Sequence, residues 1–367
     1  MTPRSKPEYL YVHVPFCKSI CHYCDFTHTV YMHDRAGQWL DALQKEILHR
    51  EINPHLKTIY IGGGTPSSLD ETQLERLLSM LAPYAKHVCE YTAEVNPETL
   101  SEAKAQLLAD YGVNRISIGF QCAQADQLKM LGRHHTKEDV LRAMDLLRSK
   151  GIDNISLDLM YSLPHQTMDM LKQSIDTALS FSPKHLSLYS LSIEENTVFG
   201  KKGMKPLDDE TEADMYEYIC DTLPRHGFEQ YEISNFSLPG YQSVHNRAYW
   251  TYRDFMGISC GASGKEGYMR YDHPFTLKEY LQDPLKQEDI PLSKEDAMFE
   301  MVMMNLRLKE GMSLNLFQKT FDESFTDAFK GRYEPLCESG QLCMEEGMLK
   351  CTEDSWHILN SVLGALL

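Results

Sequence analysis

Six times in succession a short β-rich run is followed by a stretch of helical periodicity, and few folds accept that alternation. The runs cover 9–14, 58–61, 91–95, 115–118, 155–159 and 185–189; the amphipathic stretches cover 36–50, 71–81, 101–111, 137–150, 168–181 and 211–226. Strand then helix, repeated, is the pattern of a parallel sheet with helical crossovers. Six units are too few for a closed eight-stranded barrel. The class is therefore α/β, with an open partial barrel or a doubly wound sheet, and periodicity does not separate the two. Both forms gather functional residues at the strands' C-terminal ends, where the βα loops begin. Cys17, the Gly62-Gly63-Gly64-Thr65 segment, Asn96, Gln121 and Asp158 all stand at or near such ends.

After the sixth unit the pattern changes. Residues 228–274 break into short strands, glycines and aromatics, a β-rich extension, and 275–291 reads as a polar connector. A Met-rich helix over 294–308 and a strand pair within 341–351 point to a small, mainly helical C-terminal domain. The expected division is 1–227, 228–291 and 292–367. Methionines 298, 301, 303 and 304 read as helix packing.

Charge and cysteine content narrow the function. With 36 Lys+Arg against 53 Asp+Glu, the net charge is −17, which argues against general nucleic-acid binding, because phosphate contacts need clustered cations. No stretch approaches the ~20 apolar residues of a membrane span. The opening MTPRSKPEYLYVHV lacks the apolar core and cleavage site of a secretory signal, so a cytoplasmic protein is expected. Ten cysteines are spread over 367 residues, and in a reducing compartment clustered cysteines more often hold metal than disulfides.

Three of them are clustered, as Cys17-Lys-Ser-Ile-Cys21-His-Tyr-Cys24, directly after the first strand. Three thiolates on one loop wrap one corner of a cubane iron–sulfur cluster and leave one iron without a protein ligand. Zinc would need a fourth ligand from His13, His22 or a distant cysteine, and three unconnected thiols is the remaining alternative. The glycines after the second strand let backbone groups approach a ligand where a Cβ would obstruct it, although a triple glycine also serves as a tight turn.

The triad, with Tyr11 six residues before Cys17 and Tyr23 before the last cysteine, resembles the radical S-adenosylmethionine (SAM) superfamily. The resemblance implies a partial (β/α)6 barrel and a [4Fe-4S] cluster on Cys17, Cys21 and Cys24. It further implies SAM on the open iron and its reductive cleavage to methionine and a 5′-deoxyadenosyl radical. SAM contacts are implied at Tyr11, Tyr23, Gly63, Gly64, Thr65, Glu94, Gln121, Arg133 and Asp158. Taken singly, Glu94 or Asp158 also reads as a cap or solvated carboxylate, and Arg133 as a surface ion pair.

Longer segments, among them YVHVPFCKSICHYCDF, IYIGGGTPS, SIGFQ, LGRHHT, DLMYSLPHQT and MMNLRLKEGM, resemble the oxygen-independent coproporphyrinogen III oxidase family. Its dehydrogenases carry a fourth cysteine two residues after the triad and a long N-terminal arm. Here that position is Phe26 and sixteen residues precede Cys17, which resembles the HemW-type haem-chaperone branch. His245-Asn246-Arg247-Ala248-Tyr249-Trp250 matches the HNxxYW signature of that branch. A neutral imidazole at His245 suits a haem iron, with Asn246, Tyr249 and Trp250 near the porphyrin; a buried histidine in an aromatic cluster is the plainer reading.

The branch implies a haem chaperone. It would bind haem and a SAM-ligated cluster, take electrons from a donor such as flavodoxin or ferredoxin, and pass haem to an acceptor such as a respiratory enzyme. The alternative within the family is a coproporphyrinogen III dehydrogenase, which oxidatively decarboxylates two propionates to vinyl groups. One local departure stands out: the family's G-x-G-x-G-A-x-S segment appears as Gly257-Ile258-Ser259-Cys260-Gly261-Ala262-Ser263-Gly264, with Ser259 for the middle glycine and Gly264 for the serine. If cluster and haem sites are independent, Cys21→Ala abolishes the cluster, read from iron and sulfide content, and leaves haem titration intact. Equal loss of both would remove that separation.

Overall fold

The computed structural model describes residues 6–367; the first five residues of the N-terminal stretch read above lie outside it. Six strands, β1 (Tyr9–Val14), β2 (Thr58–Gly63), β3 (Glu90–Val95), β4 (Arg115–Gln121), β5 (Ile155–Tyr161) and β6 (His185–Ser190), stand side by side in chain order, all parallel. Helices His33–His49, Glu71–Leu81, Glu102–Asp110, Lys137–Ser149, Met168–Ser180 and Asp209–Arg225 follow them. Alternate strand residues such as Leu10, Val12, Ile59, Ile61, Ile116, Ile118, Leu157 and Leu186 join the helices' apolar faces in one large core. The intervening residues face the other side, and many are polar.

Three further strands complete the sheet. β7 (Glu229–Glu232) and β8 (Asn235–Ser237) extend it beyond β6, antiparallel, and β9 (Met256–Ile258) lies parallel against β1. The nine-stranded order is β9-β1-β2-β3-β4-β5-β6-β8-β7, an open partial barrel. The strands expected as a separate extension are therefore its two edge covers. An edge strand exposes a row of unpaired amides and carbonyls, and pairing it removes that cost.

Residues 275–291, read as a connector, carry more structure than expected. Leu277–Gln282 is helical, with Thr276 accepting from Glu279 N at its start, and Glu288–Pro291 closes a small antiparallel sheet with Ser263–Glu266 and Met269–Asp272. The signal was the Thr-x-x-Glu capping pattern. The C-terminal segment forms its own core around Met298, Met301, Phe317, Phe321 and Phe325. Its first helix, Lys294–Asn305, starts at a Ser293/Asp296 capping box, and the strand pair is Leu342–Glu345 with Met348–Cys351. Among the described residues no helix is long and apolar enough to cross a membrane.

One buried polar knot ties the first helix to the segment after β9. Glu46, fully buried, accepts from Arg50 Nε (2.7 Å), Tyr280 Oη (2.7 Å) and Ser259 N (2.9 Å), and meets His273 Nε2 at 2.6 Å. Burial alone would raise its pKa, but His273, Arg50 and Tyr280 outweigh that and lower it. A carboxylate with a lowered folded pKa adds stability above its ordinary value of about 4.5 and loses it in more acid solution. Glu46→Ala leaves these donors unpaired, so urea denaturation at neutral pH should show a loss of about 3 kcal/mol, shrinking as the pH falls below 4.

Candidate functional site

At the end of β1 the chain enters a two-residue parallel ladder, Phe16–Cys17 against Thr29–Val30, which closes the cysteine loop at its base. Its middle is pinned from outside. His22 N donates to Leu131 O (2.9 Å), His22 Nδ1 donates to Met130 O (2.7 Å), and Phe199 N donates to His22 O (3.0 Å). The glycine loop is bound to the same base: Gly64 N donates to Val14 O (2.8 Å), Thr65 N to Phe16 O (2.8 Å) and Ser68 Oγ to Phe16 O (3.0 Å). Gly63 holds φ +109°, and a Cβ on Gly64 would stand 2.7 Å from Phe16 O and 3.0 Å from Cys17 Sγ. The two loops approach this closely because position 64 has no side chain.

Above them opens a cavity of about 470 Å³. Cys17, Cys21 and Cys24 line it together with Tyr23, Gly63, Gly64, Thr65, Glu94, Gln121, Arg133 and Asp158. Of the positions implied as SAM contacts, only Tyr11 is not on the cavity wall. It lies inside the barrel against Tyr60, 6.0 Å between ring centres, and is tied to His13. His13 Nε2 donates to Thr27 O (2.7 Å), so its Nδ1 accepts from Tyr11 Oη (2.9 Å); burial lowers the His13 pKa to about 4.

The cavity is polar and charged at depth. Arg133 donates to Asn96 Oδ1 (2.9 Å) and Gly119 O (2.9 Å), with Cys21 Sγ at 3.7 Å, and its buried Nε has no partner among the described residues. Glu94 accepts from Tyr60 Oη (2.7 Å) and Gly63 N (3.2 Å), and burial raises its pKa to about 7. Asp158, also raised by burial, accepts from Ser117 Oγ at both of its oxygens (2.9 and 2.8 Å), with the Ser187 side chain as a second partner. Burial lifts the Cys17 thiol to about 12 and Cys24 to about 11, so binding a metal there must release protons.

Among the described residues no three His, Cys, Asp or Glu side chains converge on a single ion. Instead, three sulfurs share one wall with a buried cation carrying an orphaned donor and with a cradle free of Cβ atoms. That donor set fits a thiolate-held cluster with an ionic small molecule beside it.

The His245–Trp250 segment lies elsewhere. It forms the helix Val244–Trp250, whose N-terminus is received by the buried Glu90 carboxylate through Val244 N (2.8 Å) and His245 N (2.9 Å). His245 is wholly buried. Its Nδ1 meets Thr58 Oγ1 at 2.6 Å and its Nε2 meets Tyr249 Oη at 2.7 Å, and burial lowers its pKa to about 3. Thr58 opens β2 and Gly63 ends it, so five residues of rise, roughly 16 Å, separate this histidine's partner from the glycine loop. Only Asn246 of the motif reaches the cavity wall. The Tyr249 ring packs on Phe255 (4.6 Å), and Trp250 lies under the Arg307 guanidinium (5.3 Å). Ligating iron through either ring nitrogen would cost His245 one of these two buried hydrogen bonds.

The departure at Ser259 also has a physical account. Ser259 sits at φ +82°, a conformation natural to glycine, held by Trp39 Nε1 donating to its Oγ (2.8 Å) and by its own N–H donating to Glu46. At Gly264 a side chain would run into the Tyr271 ring.

Several wall residues escaped the sequence reading. Tyr60, Arg115, Ser117, Ser187 and Tyr189 line the cavity, and Arg115 is buried with its Nε unpartnered among the described residues. The usable signal was a polar residue or glycine at every second position within apolar strands: Arg115, Ser117, Gly119 and Gln121 on β4, Ser156 and Asp158 on β5.

Residues 11–178 match the radical SAM superfamily, and residues 292–356 match the HemN C-terminal domain. A haem chaperone HemW of Bacillus subtilis (strain 168) is 37% identical over 97% of this chain and 98% of its own. One from Lactococcus lactis is 38% identical over 99% and 98%, and one from Escherichia coli (strain K12) is 36% identical over 98% of each. In structure, the coproporphyrinogen III oxidase HemN of E. coli, a radical SAM enzyme, superposes with a TM-score of 0.86 at 22% identity, covering 98% of this chain and 90% of that one; this likeness is one of fold.

Glu94 gives the site a pH signature. Its folded pKa of about 7 lies above the ordinary 4.5, so the folded state holds a proton the unfolded chain has lost, and stability falls as pH rises from 4.5 to 7. Glu94→Gln keeps an acceptor for Tyr60 without the charge. Thermal melts of the cofactor-free protein across pH 5–8 should show that decline in the wild type and a flatter profile in the variant.

Proposed function

The chain belongs to the HemW family of radical SAM proteins, and on that premise we propose that it is a haem chaperone. It takes up haem and passes it to an acceptor protein, with a respiratory enzyme as acceptor and flavodoxin or ferredoxin as electron donor. Cys17, Cys21 and Cys24 hold a [4Fe-4S] cluster, and SAM lies in the adjoining cavity. The observation that carries this reading is the gathering of those cysteines with the glycine loop, Glu94, Arg133 and Asp158 around one cavity at the strands' C-terminal ends.

The bound cluster would supply one-electron reducing chemistry directed at SAM. This chain's residues prepare the place for it. Arg133 puts a positive charge beside the Cys21 sulfur, 3.7 Å from it. Glu94 is poised to change charge near neutrality, so it can meet an ammonium group as a carboxylate. Ser117 fixes the orientation of Asp158. Phe26, 65% exposed, places an aromatic ring where the dehydrogenase branch has a cysteine. None of the ten cysteines is paired in a disulfide, which supports a reducing, cytoplasmic setting.

The test is anaerobic. Reconstituted full-length protein is given SAM, a strong reductant and coproporphyrinogen III, and porphyrinogens are measured by mass spectrometry; a parallel sample is titrated with haem. The expected result is an untouched tetracarboxylate and saturable haem binding. Stoichiometric conversion to protoporphyrinogen would make the protein a dehydrogenase and overturn the proposal.

A further inference from the structure

We propose that the outer face of the cysteine loop is the docking surface for an acidic, flavin-bearing electron-carrier protein, which seats on Ile20, Val30 and Met32 within a rim of lysines. The site rests on the electron-donor part of the reading above. There the carrier gives up one electron and the cluster held by Cys17, Cys21 and Cys24 gains it, with no atom transferred. Ile20 immediately precedes Cys21, and Val30 pairs in register with Cys17. A partner on these residues therefore lies one loop's thickness from two of the three sulfurs.

The centre of the surface is apolar. Ile20 is 39% exposed, Val30 48% and Met32 55%. Tyr31 N donates to Cys17 O (2.8 Å), which lays residues 30–32 alongside the start of the loop, and Lys18 Nζ stands 4.0 Å from the Tyr31 ring centre. Apolar side chains gathered in water on one loop mark a surface that another molecule covers. A flavin offers such a surface its apolar dimethylbenzene edge, whereas an iron–sulfur carrier offers the backbone of its own cysteine loop. Electron-transfer encounters bury less than about 1,200 Å², so a patch of a few side chains is enough.

The rim is cationic. Lys18, Lys129, Lys201 and Lys202 are exposed, and none of their ammonium groups makes an ion pair or hydrogen bond among the described residues. Contacts to the loop place them there. Lys129 precedes Met130, whose carbonyl receives His22 Nδ1, and Lys201 follows by two residues Phe199, whose amide donates to His22 O. A Cβ on Gly132 would stand 3.2 Å from Ile20 O, so the end of the Ala125–Leu131 helix borders Ile20 as well. At the other end of the strands lysines are matched, Lys6 with Glu51 (3.0 Å) and Lys57 with Glu8 (2.6 Å). The chain as a whole carries −17, and unmatched positive charge gathered at one loop of such a protein steers an acidic partner to it. Among the nearby carboxylates, Asp34 and Asp70 both meet His33 (3.4 and 3.2 Å), and Glu194 and Glu195 line the cleft beside Phe26. Asp126, in the same helix as Lys129, subtracts one charge from the rim.

The experiment measures binding of an oxidised, acidic flavodoxin to the anaerobically reconstituted full-length protein by calorimetry. It is run at low ionic strength and at about 0.15 M salt, where charges more than ~8 Å apart are screened. The wild type is expected to bind, and more weakly at the higher salt. Lys129→Glu/Lys201→Glu/Lys202→Glu, which touches no cysteine, should weaken low-salt binding about ten-fold or more, with the cluster's visible spectrum and its reduction by dithionite unchanged. Met32→Ser, which suits the helix N-cap that Met32 occupies, weakens binding at both salt concentrations. Lys86→Glu/Lys319→Glu, away from the loop, keeps the affinity. A triple variant that binds as tightly as the wild type, a Lys86/Lys319 control that loses as much, or a ferredoxin that binds in the same lysine-dependent way while flavodoxin does not, would overturn the docking site. A wild-type protein that takes up haem but binds no carrier would overturn the electron-donor reading, and the site with it, and leave the haem-carrier reading intact.

Discussion

A parallel sheet of six strands that curls without closing has two raw edges, and their unpaired backbone groups must be covered. Here both covers come from one stretch of chain. β7 and β8 continue the sheet past β6, and β9 pairs with β1 at the far side. Because the two covers lie at opposite edges, the residues between them must cross from one side of the sheet to the other. That crossing is where Val244–Trp250 is found, with its first amides on Glu90, the opening residue of β3, and its histidine on Thr58, the opening residue of β2. The position of the His-Asn-x-x-Tyr-Trp segment thus follows from strand pairing and the Glu90 carboxylate.

The opposite end of the strands is governed by close approach. The cysteine loop and the glycine loop share Val14 and Phe16 carbonyls as anchors, and a missing side chain at Gly64 sets the gap between them. Gly119 has a comparable role deeper in, because a Cβ there would displace the Arg133 guanidinium. The charged groups of the site are held in place by a few small residues that leave them room, with hydroxyls such as Ser117 and Tyr60 completing their bonds.

What could be read from the sequence followed from repeating period and from covalent spacing. The six strand–helix units were legible because their apolar faces repeat, and the cysteine triad because three ligands on one loop need no tertiary information. The residues expected to surround them line one cavity: Glu94 and Gln121 stand at or next to a strand's end, Asp158 lies on the inner face of β5, and Arg133 reaches in from the loop after the Ala125–Leu131 helix. Other features were hidden because they depend on which strand pairs with which. That 229–258 would supply edge strands is a long-range fact, and so is the burial of His245. Tyr11 lies three residues before the end of β1, bonded to His13 and packed on Tyr60, and is not on the cavity wall. Arg115 was passed over as the start of an apolar run, although its alternation with Ser117 and Gly119 marked the inner face.

The floor of the barrel has one more implication. Residues at or next to the start of β2 to β6, Thr58, Glu90, Arg115, Ser156 and His185, are all buried, so the interior is a vessel closed at that end, with its mouth among the loops at the strands' C-terminal ends. Molecules that enter must leave by the same route in reverse order. A ligand resting at that mouth would therefore act as a stopper, and emptying the vessel becomes a matter of traffic at its rim.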